Sequence, residues 1–481
     1  MAAIESENHT ENPISSDRSA QETRLGTGSI PKLLLSLAAP AITAQIINVL
    51  YNMVDRMYIG HIEGIGDLAL TGVGVTMPLI MCVSAFAALV SMGGAPRASI
   101  MMGRQRRDVA EQILGGCTVM LIIVAVILTA VLLLFGRPLL MAFGASENTI
   151  GYALDYMNIY ACGTIFVQLA LGLNAFISAQ GYARTSMFSV LIGAVCNIVL
   201  DPIMIFGYLG FPAMGVKGAA LATIISQAIS SAWVVLFLCS RRSFLRIRAC
   251  NLRLRADILL PCLALGVSPF IMQFTESIIT VCFNVSLQKY GGDLAVGAMT
   301  ILSSVMQFSM LPLQGLTQGA QPIVSYNYGA GQLDRVKKAF QLTLVCALTY
   351  STLLWAIAEF APQVFVSIFT DQEQLGSYAA RVMRIYMATS LVFGAQIACQ
   401  QTFIALGNAK ASVFLALLRK VFLLIPLIFI LPLFFNGNDA KTLAVFLAEP
   451  VADLIAVCTT VTMFAISFKR LLKNGIPPKV R

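Results

Sequence analysis

The stretch GGAPRASIMMGRQRRD (residues 93–108) has a counterpart in GAQPIVSYNYGAGQLD (residues 319–334), and a shift of 226 residues superposes the two. The shift brings glycine, proline and aspartate residues of the first stretch onto the same residue types in the second. One shift that relates several separated blocks indicates that the two halves of the chain are copies of one unit. Two further pairs of blocks obey it, at 66–69 and 292–295 and at 179–188 and 405–414.

The composition is that of a membrane protein. Of the 481 residues, 58% are hydrophobic and 11% are charged, and the mean hydropathy is +0.81, whereas a soluble domain carries about 25% charged residues. A membrane-spanning helix needs about 20 mostly apolar residues. We therefore predict an all-α polytopic membrane protein with twelve transmembrane helices, at 33–58, 68–92, 112–136, 150–180, 184–209, 216–240, 258–287, 294–318, 338–362, 376–405, 411–436 and 442–466.

The positive charges predict the topology. Most of the 32 Lys and Arg residues lie in alternate loops and at the ends of the chain, and RRSFLRIRACNLRLRAD (241–257) alone contains six arginines. Because basic loops stay in the cytoplasm, we expect cytoplasmic termini and a multi-pass protein of the cell (inner) membrane. The expected organisation is a disordered cytoplasmic tail (1–29), an N-terminal six-helix lobe (30–240), a basic inter-lobe loop (241–257), a C-terminal six-helix lobe (258–466) and a basic cytoplasmic tail (467–481).

Each half holds an even number of predicted spans, so both halves enter the membrane from the same side. Copies of this kind are related by a pseudo-two-fold axis along the membrane normal. Two repeated bundles around a central cleft are the architecture of alternating access, which neither a receptor nor a membrane enzyme requires.

Other classes of protein fit the sequence poorly. The net charge of +9 lies in short loops, as topology signals do, and does not indicate a nucleic-acid partner. The eleven cysteines are scattered singly and there are only two histidines, so we expect no metal site, no cofactor and no enzymatic activity. We expect a monomer whose partners are the lipid bilayer and small amphipathic or cationic organic molecules.

The first span carries a polar stripe within QIINVLYNMVDRMYIG (45–60). Successive residues of a helix are rotated by about 100°, so its amides and its carboxylate fall within a sector of the helix surface about 80° wide. A charge at the bilayer centre costs about 2.5–3.5 kcal/mol. If the stripe faces the interior of the N-terminal lobe, then water, hydrogen bonds or protonation of Asp55 would reduce this cost. The alternative is a polar contact between helices with no functional meaning. The stripe comprises Gln45, Asn48, Asn52 and Asp55, with Tyr51 beside them.

A second carboxylate lies in the fifth span, where Asn197 and Asp201 share one helix face, and Asn174 lies on the fourth span. Two carboxylates with amide partners suit a proton or a sodium ion, because like charges share one proton and oxygen ligands suit hard cations. A transient Na⁺ would bind at Asp55 and Asp201. The alternative for Asp201 is a position near the outer interface, beside a kink at Pro202.

The C-terminal half has its own polar face in MQFTESIITVCFNVSLQ (272–288), with Gln273, Glu276 and Asn284. This face is either a secondary cation site or a set of bonds between helices. Two basic residues, Arg419 and Lys420, lie about 12–14 Å into their helix, a depth from which they can snorkel to the interface.

Four motifs resemble those of the MATE (multidrug and toxic compound extrusion) family, in its prokaryotic, MepA-like branch. They are YNMVD (51–55), LNAFISAQGYAR (173–184), CNIVLDPIMIFG (196–207) and QGAQPIVSYNYGAGQLD (318–334). The resemblance extends from about residue 30 to 470. It implies twelve helices in two lobes and secondary active efflux of amphipathic, mostly cationic compounds, by antiport with H⁺ or Na⁺.

The resemblance also implies roles for single residues. Pro40 corresponds to a proline that bends the first helix, and Glu276 to a C-lobe glutamate of some branches. Branches with a C-lobe sodium site have an aspartate in the tenth span, where this chain reads LVFGAQIACQQTFIALG (391–407), so we expect coupling in the N lobe. The residues implied to couple the cation are Asp55, Asp201, Asn197, Asn174 and Thr223.

The alternative function is that of a lipid-linked saccharide flippase of the same superfamily. Such a protein would line its cavity with cations to meet pyrophosphate, and would commonly have fourteen spans. The choice between H⁺ and Na⁺ stays open.

Overall fold

The protein is described by a computed structural model over residues 24–370 and 372–475, and every secondary-structure element in that part is helical. The predicted tails lie partly outside the described residues. The helices are α1 Ile30–Gly60, α2 Gly66–Gly103, α3 Arg107–Ala142, α4 Ile150–Cys162, α5 Thr164–Ala179, α6 Ala183–Phe206, α7 Val216–Cys239, α8 Ala256–Gly329, α9 Leu333–Phe360, α10 Gln363–Val366, α11 Glu373–Tyr386, α12 Ser390–Ala405, α13 Ala409–Leu417, α14 Ile425–Ile430 and α15 Asn438–Asn474. A π-helical turn, Leu418–Leu424, joins α13 to α14.

The number of membrane crossings agrees with the sequence. Nine helices of the described residues are long and apolar enough to span a bilayer, and two bent pairs bring the number to eleven. Helix α8 has 74 residues and breaks at Gly292, whose φ of 63° and ψ of −159° are not helical. At 1.5 Å per residue each half of α8 is long enough to cross, which gives twelve crossings.

Two spans that the sequence predicts as single helices, 150–180 and 376–405, are broken in the structure. Helices α4 and α5 meet at 59°, and α11 and α12 meet at 52°. The first break lies at Gly163, where a Cβ atom would overlap the side chain of Ile224 on α7. The absence of a side chain at Gly163 lets α7 pack against the break, and no hydropathy pattern reveals this contact between residues far apart in the chain.

The internal repeat has a direct structural counterpart where α2 crosses the second half of α8. A methyl group on Gly103 would overlap the carbonyl of Tyr326, and one on Gly329 would overlap the carbonyl of Ile100. The shift of 226 residues maps the first of these contacts onto the second. The pseudo-two-fold operation between the two lobes therefore maps this crossing onto itself, as expected for a contact that lies on the axis.

The two lobes are joined at one end of the molecule, which we call the terminal face because α1 begins there and α15 ends there. The largest hydrophobic cluster lies at this face and combines residues of both lobes, such as Leu37, Leu114 and Ile323. Toward the opposite face, which we call the far face, the core divides into two clusters, one within each lobe. The lobes therefore pack tightly at the terminal face and separate around a cleft toward the far face.

Candidate functional site

The first candidate site lies in the N lobe, where α1, α6 and α7 meet. Asp55 lies near the far end of α1, and Asn197 and Asp201 lie near the far end of α6, one helical turn apart. All three are buried, with Asp55 5% exposed and Asp201 fully enclosed. Thr223 approaches them from α7. The structure thus brings together four residues from three separate helices.

Hydrogen bonds connect these residues. The amide nitrogen of Asn197 donates to Asp201 Oδ1 at 3.1 Å and to Thr223 Oγ1 at 3.4 Å. The carboxyl groups of Asp55 and Asp201 are near enough to interact electrostatically. Two neighbouring carboxylates repel each other when both are ionised, so the pair holds one proton more tightly than an isolated carboxyl group does.

The site also has oxygen atoms that no protein donor satisfies. In the described part of the chain, Asp55 Oδ1, Asn197 Oδ1 and Asp201 Oδ2 are buried and accept no hydrogen bond. Buried polar atoms normally have a partner, and three such oxygens in one place are the donor set that hard cations prefer. The arrangement can therefore hold a proton or accept a small cation.

A cavity of about 40 Å³, lined by both polar and apolar side chains, reaches the site at Asn197 and Thr223. It can hold water, which needs about 10–15 Å³, but it is far smaller than the about 300–1,000 Å³ of a pocket for an organic ligand. Asn174 belongs to its wall and accepts a hydrogen bond from Ser189 Oγ at 2.9 Å. The cavity is lined by Asn48, Tyr51, Ala170, Leu171, Asn174, Ser189, Val190, Gly193, Ala194, Asn197, Thr223, Ser226, Gln227 and Ser230.

The polar stripe of α1 is only partly directed into the N lobe. Asn48 and Tyr51 line the cavity, and Asn52 donates to the carbonyl of Asn48 at 2.6 Å. Gln45 instead donates to Gln318 of the C lobe at 3.1 Å. The interpretation of the stripe as one face turned to the N-lobe interior is wrong for Gln45, because α1 passes between the lobes at that level.

Pro40 lies inside α1, and the helix is continuous across it from Ile30 to Gly60. A proline removes one backbone hydrogen bond and permits a bend without requiring one.

The second candidate site lies in the C lobe, where the carboxylate of Glu276 binds Lys420 Nζ at 2.7 Å. The partner of Glu276 comes from the π-helical turn, and not from the polar face that Gln273 and Asn284 share with it on α8. The adjacent Arg419 binds Asp453 at 2.6 Å and Glu449 at 3.1 Å.

The expectation that Arg419 and Lys420 snorkel is wrong, since they are 7% and 6% exposed. Each is held inside the lobe by a carboxylate from another helix. Glu449 and Asp453 lie one turn apart in an apolar span, and the preceding span contains two basic residues. This charge complementarity was the sequence signal that could have predicted the ion pairs.

Both lobes of the chain are similar to known proteins. The MatE family model matches residues 40–203 and 269–430, one segment in each lobe. The multidrug export protein MepA of Staphylococcus haemolyticus is 23% identical over 429 residues, which cover 89% of this chain and 93% of that protein.

Solved structures share the fold. MATE in the bent conformation aligns with a TM-score of 0.86 and 20% identity, and covers 95% of this chain and 98% of its own. The MATE multidrug transporter DinF-BH aligns with a TM-score of 0.83 and 32% identity over 93% of this chain and 98% of its own.

Proposed function

The chain belongs to the MatE family, and from that membership we propose that it is a multidrug transporter that exports amphipathic, mostly cationic organic compounds in exchange for H⁺ or Na⁺. The observation that supports this proposal best is the burial of Asp55 and Asp201 in one site, together with Asn197, where each of the three has a buried oxygen that no protein donor satisfies. Neither carboxylate belongs to an ion pair among the described residues. A mobile cation can then act as their partner, and the pairing of two buried carboxyl groups favours a proton, since like charges share one proton.

We infer further that the terminal face is cytoplasmic, because the basic inter-lobe loop, the start of α1 and the end of α15 lie on that side. The lobes are packed together there and apart at the far face, so the described state is the outward-facing one. Alternating access then requires the contacts of α2 and α8 at the terminal face to separate.

Coupling follows from the charge of the carboxyl pair. With H⁺ or Na⁺ bound, the pair of Asp55 and Asp201 carries one negative charge instead of two, and Asn197, which also donates to Thr223, stabilises that charge by donating to Asp201. After release, two buried negative charges repel each other, and the lobe relaxes toward a state that hydrates them. A difference of about 1–3 kcal/mol between the two states is enough to link ion binding to drug binding.

The flippase alternative has less support. Its anionic substrate needs unpaired cations in the cavity, whereas Arg419 and Lys420, the basic residues buried in the described part of the chain, both bind carboxylates.

The test is export of rhodamine 6G from proteoliposomes under an imposed proton gradient, and then under a sodium gradient. We expect the proton gradient to drive export. Replacing Asp55 by Asn should lower the driven rate by about 5–150-fold, the usual range of coupling free energies.

The matched control is Asp67→Asn, which removes an exposed carboxylate at the start of α2 in the same lobe and should leave the rate unchanged. Driven export that survives Asp55→Asn would contradict the assignment of coupling to this pair. If neither gradient moves any cation, the flippase becomes the better description.

A further inference from the structure

Five charged side chains from three elements form one cluster inside the C lobe, which we call the C-lobe ion cluster. It contains three carboxylates and two cations, so it is formally short of one positive charge. Such an imbalance is costly inside a membrane protein unless water or a further cation reduces it. The members are Glu276 on α8, Arg419 and Lys420 on the π-helical turn, and Glu449 and Asp453 on α15.

The two cations of the cluster differ in how firmly they are held. Arg419 binds Asp453 and Glu449 together and lies over the ring of Phe393, with its guanidinium carbon 4.7 Å from the ring centre. An arginine held by two carboxylates and a stacked ring has its donors directed and its position fixed. Arg419 is therefore the structural member of the cluster.

Lys420 has a single bonded partner in the cluster, and that partner is its most accessible member. The side chain of Glu276 is 54% exposed, whereas that of Lys420 is 8% exposed. The ammonium of a lysine is a compact charge on a flexible stem. Glu449 binds the preceding residue, Arg419, at 3.1 Å, so Lys420 has a second carboxylate in the same cluster to move toward without leaving the lobe.

The exposed side of Glu276 faces the cleft. On the same helix, Cys262 and Gly266 face the N lobe, where they meet the backbone of α2. Glu276 falls about 40° from Cys262 around the helix at 100° per residue.

We propose that Lys420 is an internal cation that occupies Glu276 in the absence of substrate, and that a monovalent organic cation displaces it toward Glu449 and binds Glu276 from the cleft. This inference rests on the proposed function, in that it names the substrate charge that the C lobe accepts. With one such cation bound, the C-lobe ion cluster holds three negative and three positive charges. A monovalent cation thus completes the charge balance, whereas an anion would worsen it.

Lys420 is accordingly a specificity-determining residue, because every cationic substrate must compete with it. The test is equilibrium binding of tetraphenylphosphonium to the purified full-length protein. Replacing Lys420 by Met removes the competitor, and we expect binding about tenfold tighter, a change of about 1.4 kcal/mol. Na⁺ should then compete with the probe in the variant and not in the wild type. The double variant Lys420→Met, Glu276→Gln should lose the whole gain.

Lys410→Met is the matched control, since Lys410 is an exposed lysine at the start of α13 and its loss should leave binding unchanged. A gain that persists in the double variant, or no gain in a monodisperse Lys420→Met protein, would overturn the inference.

A variant in which the two charges are exchanged tests the same inference if Lys420→Met does not fold. The pair Glu276→Lys, Lys420→Glu preserves an ion pair but places the cation at the exposed position, so tetraphenylphosphonium should bind at least about tenfold more weakly than in wild type. Equal binding would mean that the pair is structural only, while export by the wild type would still support the proposed function. A wild type that neither binds nor exports the probe would instead contradict the proposed function itself.

Discussion

Buried carboxylates meet two different partners in the two lobes. In the N lobe, Asp55 and Asp201 lie against each other, and Asn197 is the protein donor on Asp201. In the C lobe, Asp453 and Glu449 are bound by Arg419. The first arrangement leaves room for a mobile cation, and the second fixes a cation of the protein in place.

The fixed arrangement predicts a large loss of stability when Arg419 is replaced by Met. Two buried carboxylates would lose their partner, and breaking a buried ion pair costs about 3–5 kcal/mol. Thermal unfolding of the purified protein measures the effect as a lower Tm. The triple variant that also carries Glu449→Gln and Asp453→Asn should recover much of that loss, because no charge then stays unpaired. A single variant as stable as wild type would show that water reaches these carboxylates.

Sequence reasoning identified the N-lobe residues more fully than the C-lobe ones. Asn197 and Asp201 are one turn apart in a single span, so their contact follows from helix geometry. The bond from Lys420 to Glu276 joins residues 144 positions apart, and the bonds from Arg419 to α15 cross between helices. Spacing within one helix cannot predict such pairs, so the depth of Lys420 alone suggested snorkelling.

At the scale of elements, the spans could be predicted because each needs its own apolar run. The breaks could not be predicted, since the residue that packs against the bend at Gly163 is Ile224 of another helix. The π-helical turn Leu418–Leu424 was equally hidden, although it carries both buried cations. Turns of this kind are frequent at functional sites, and no residue pattern in that span marks it.

Helix α2 offers a prediction about how the elements pack. A methyl group on Gly93 would overlap the backbone carbonyl of Cys262, whereas one on Gly74 would meet nothing within 4 Å. Gly93→Ala should therefore separate α2 from α8 and destabilise the described state. Gly74→Ala on the same helix should be neutral or stabilising by about 0.5–1 kcal/mol, from helix propensity alone.

The measurement is thermal stability of both variants, together with labelling of a cysteine introduced at Ile100, which lies at the crossing of α2 and α8. We expect lower stability and faster labelling for Gly93→Ala only. Equal labelling in the two variants would mean that the close approach at Gly93 does not hold the lobes together.

At the scale of the whole molecule, the repeat explains why one end is closed. The glycine contacts related by the 226-residue shift lie at the terminal face, where the cores of the two lobes merge. At the far face each lobe has a core of its own. Separating the lobes at the terminal face therefore costs inter-lobe contacts and leaves the far-face cores intact, which suits a rocking motion of two stable bodies.

A pair of native thiols makes this motion testable. Cys117 on α3 and Cys262 on α8 belong to different lobes, are buried, and pack against the neighbouring residues Gly94 and Gly93 of α2. Hg²⁺ binds thiolates strongly and should bridge the two when the lobes open and close again. In a variant that keeps these two of the eleven cysteines, Hg²⁺ should stop export, and dithiothreitol should restore it. Removing Cys262 as well should abolish the inhibition, whereas export that continues with the bridge in place would mean that the lobes do not separate at this interface during transport.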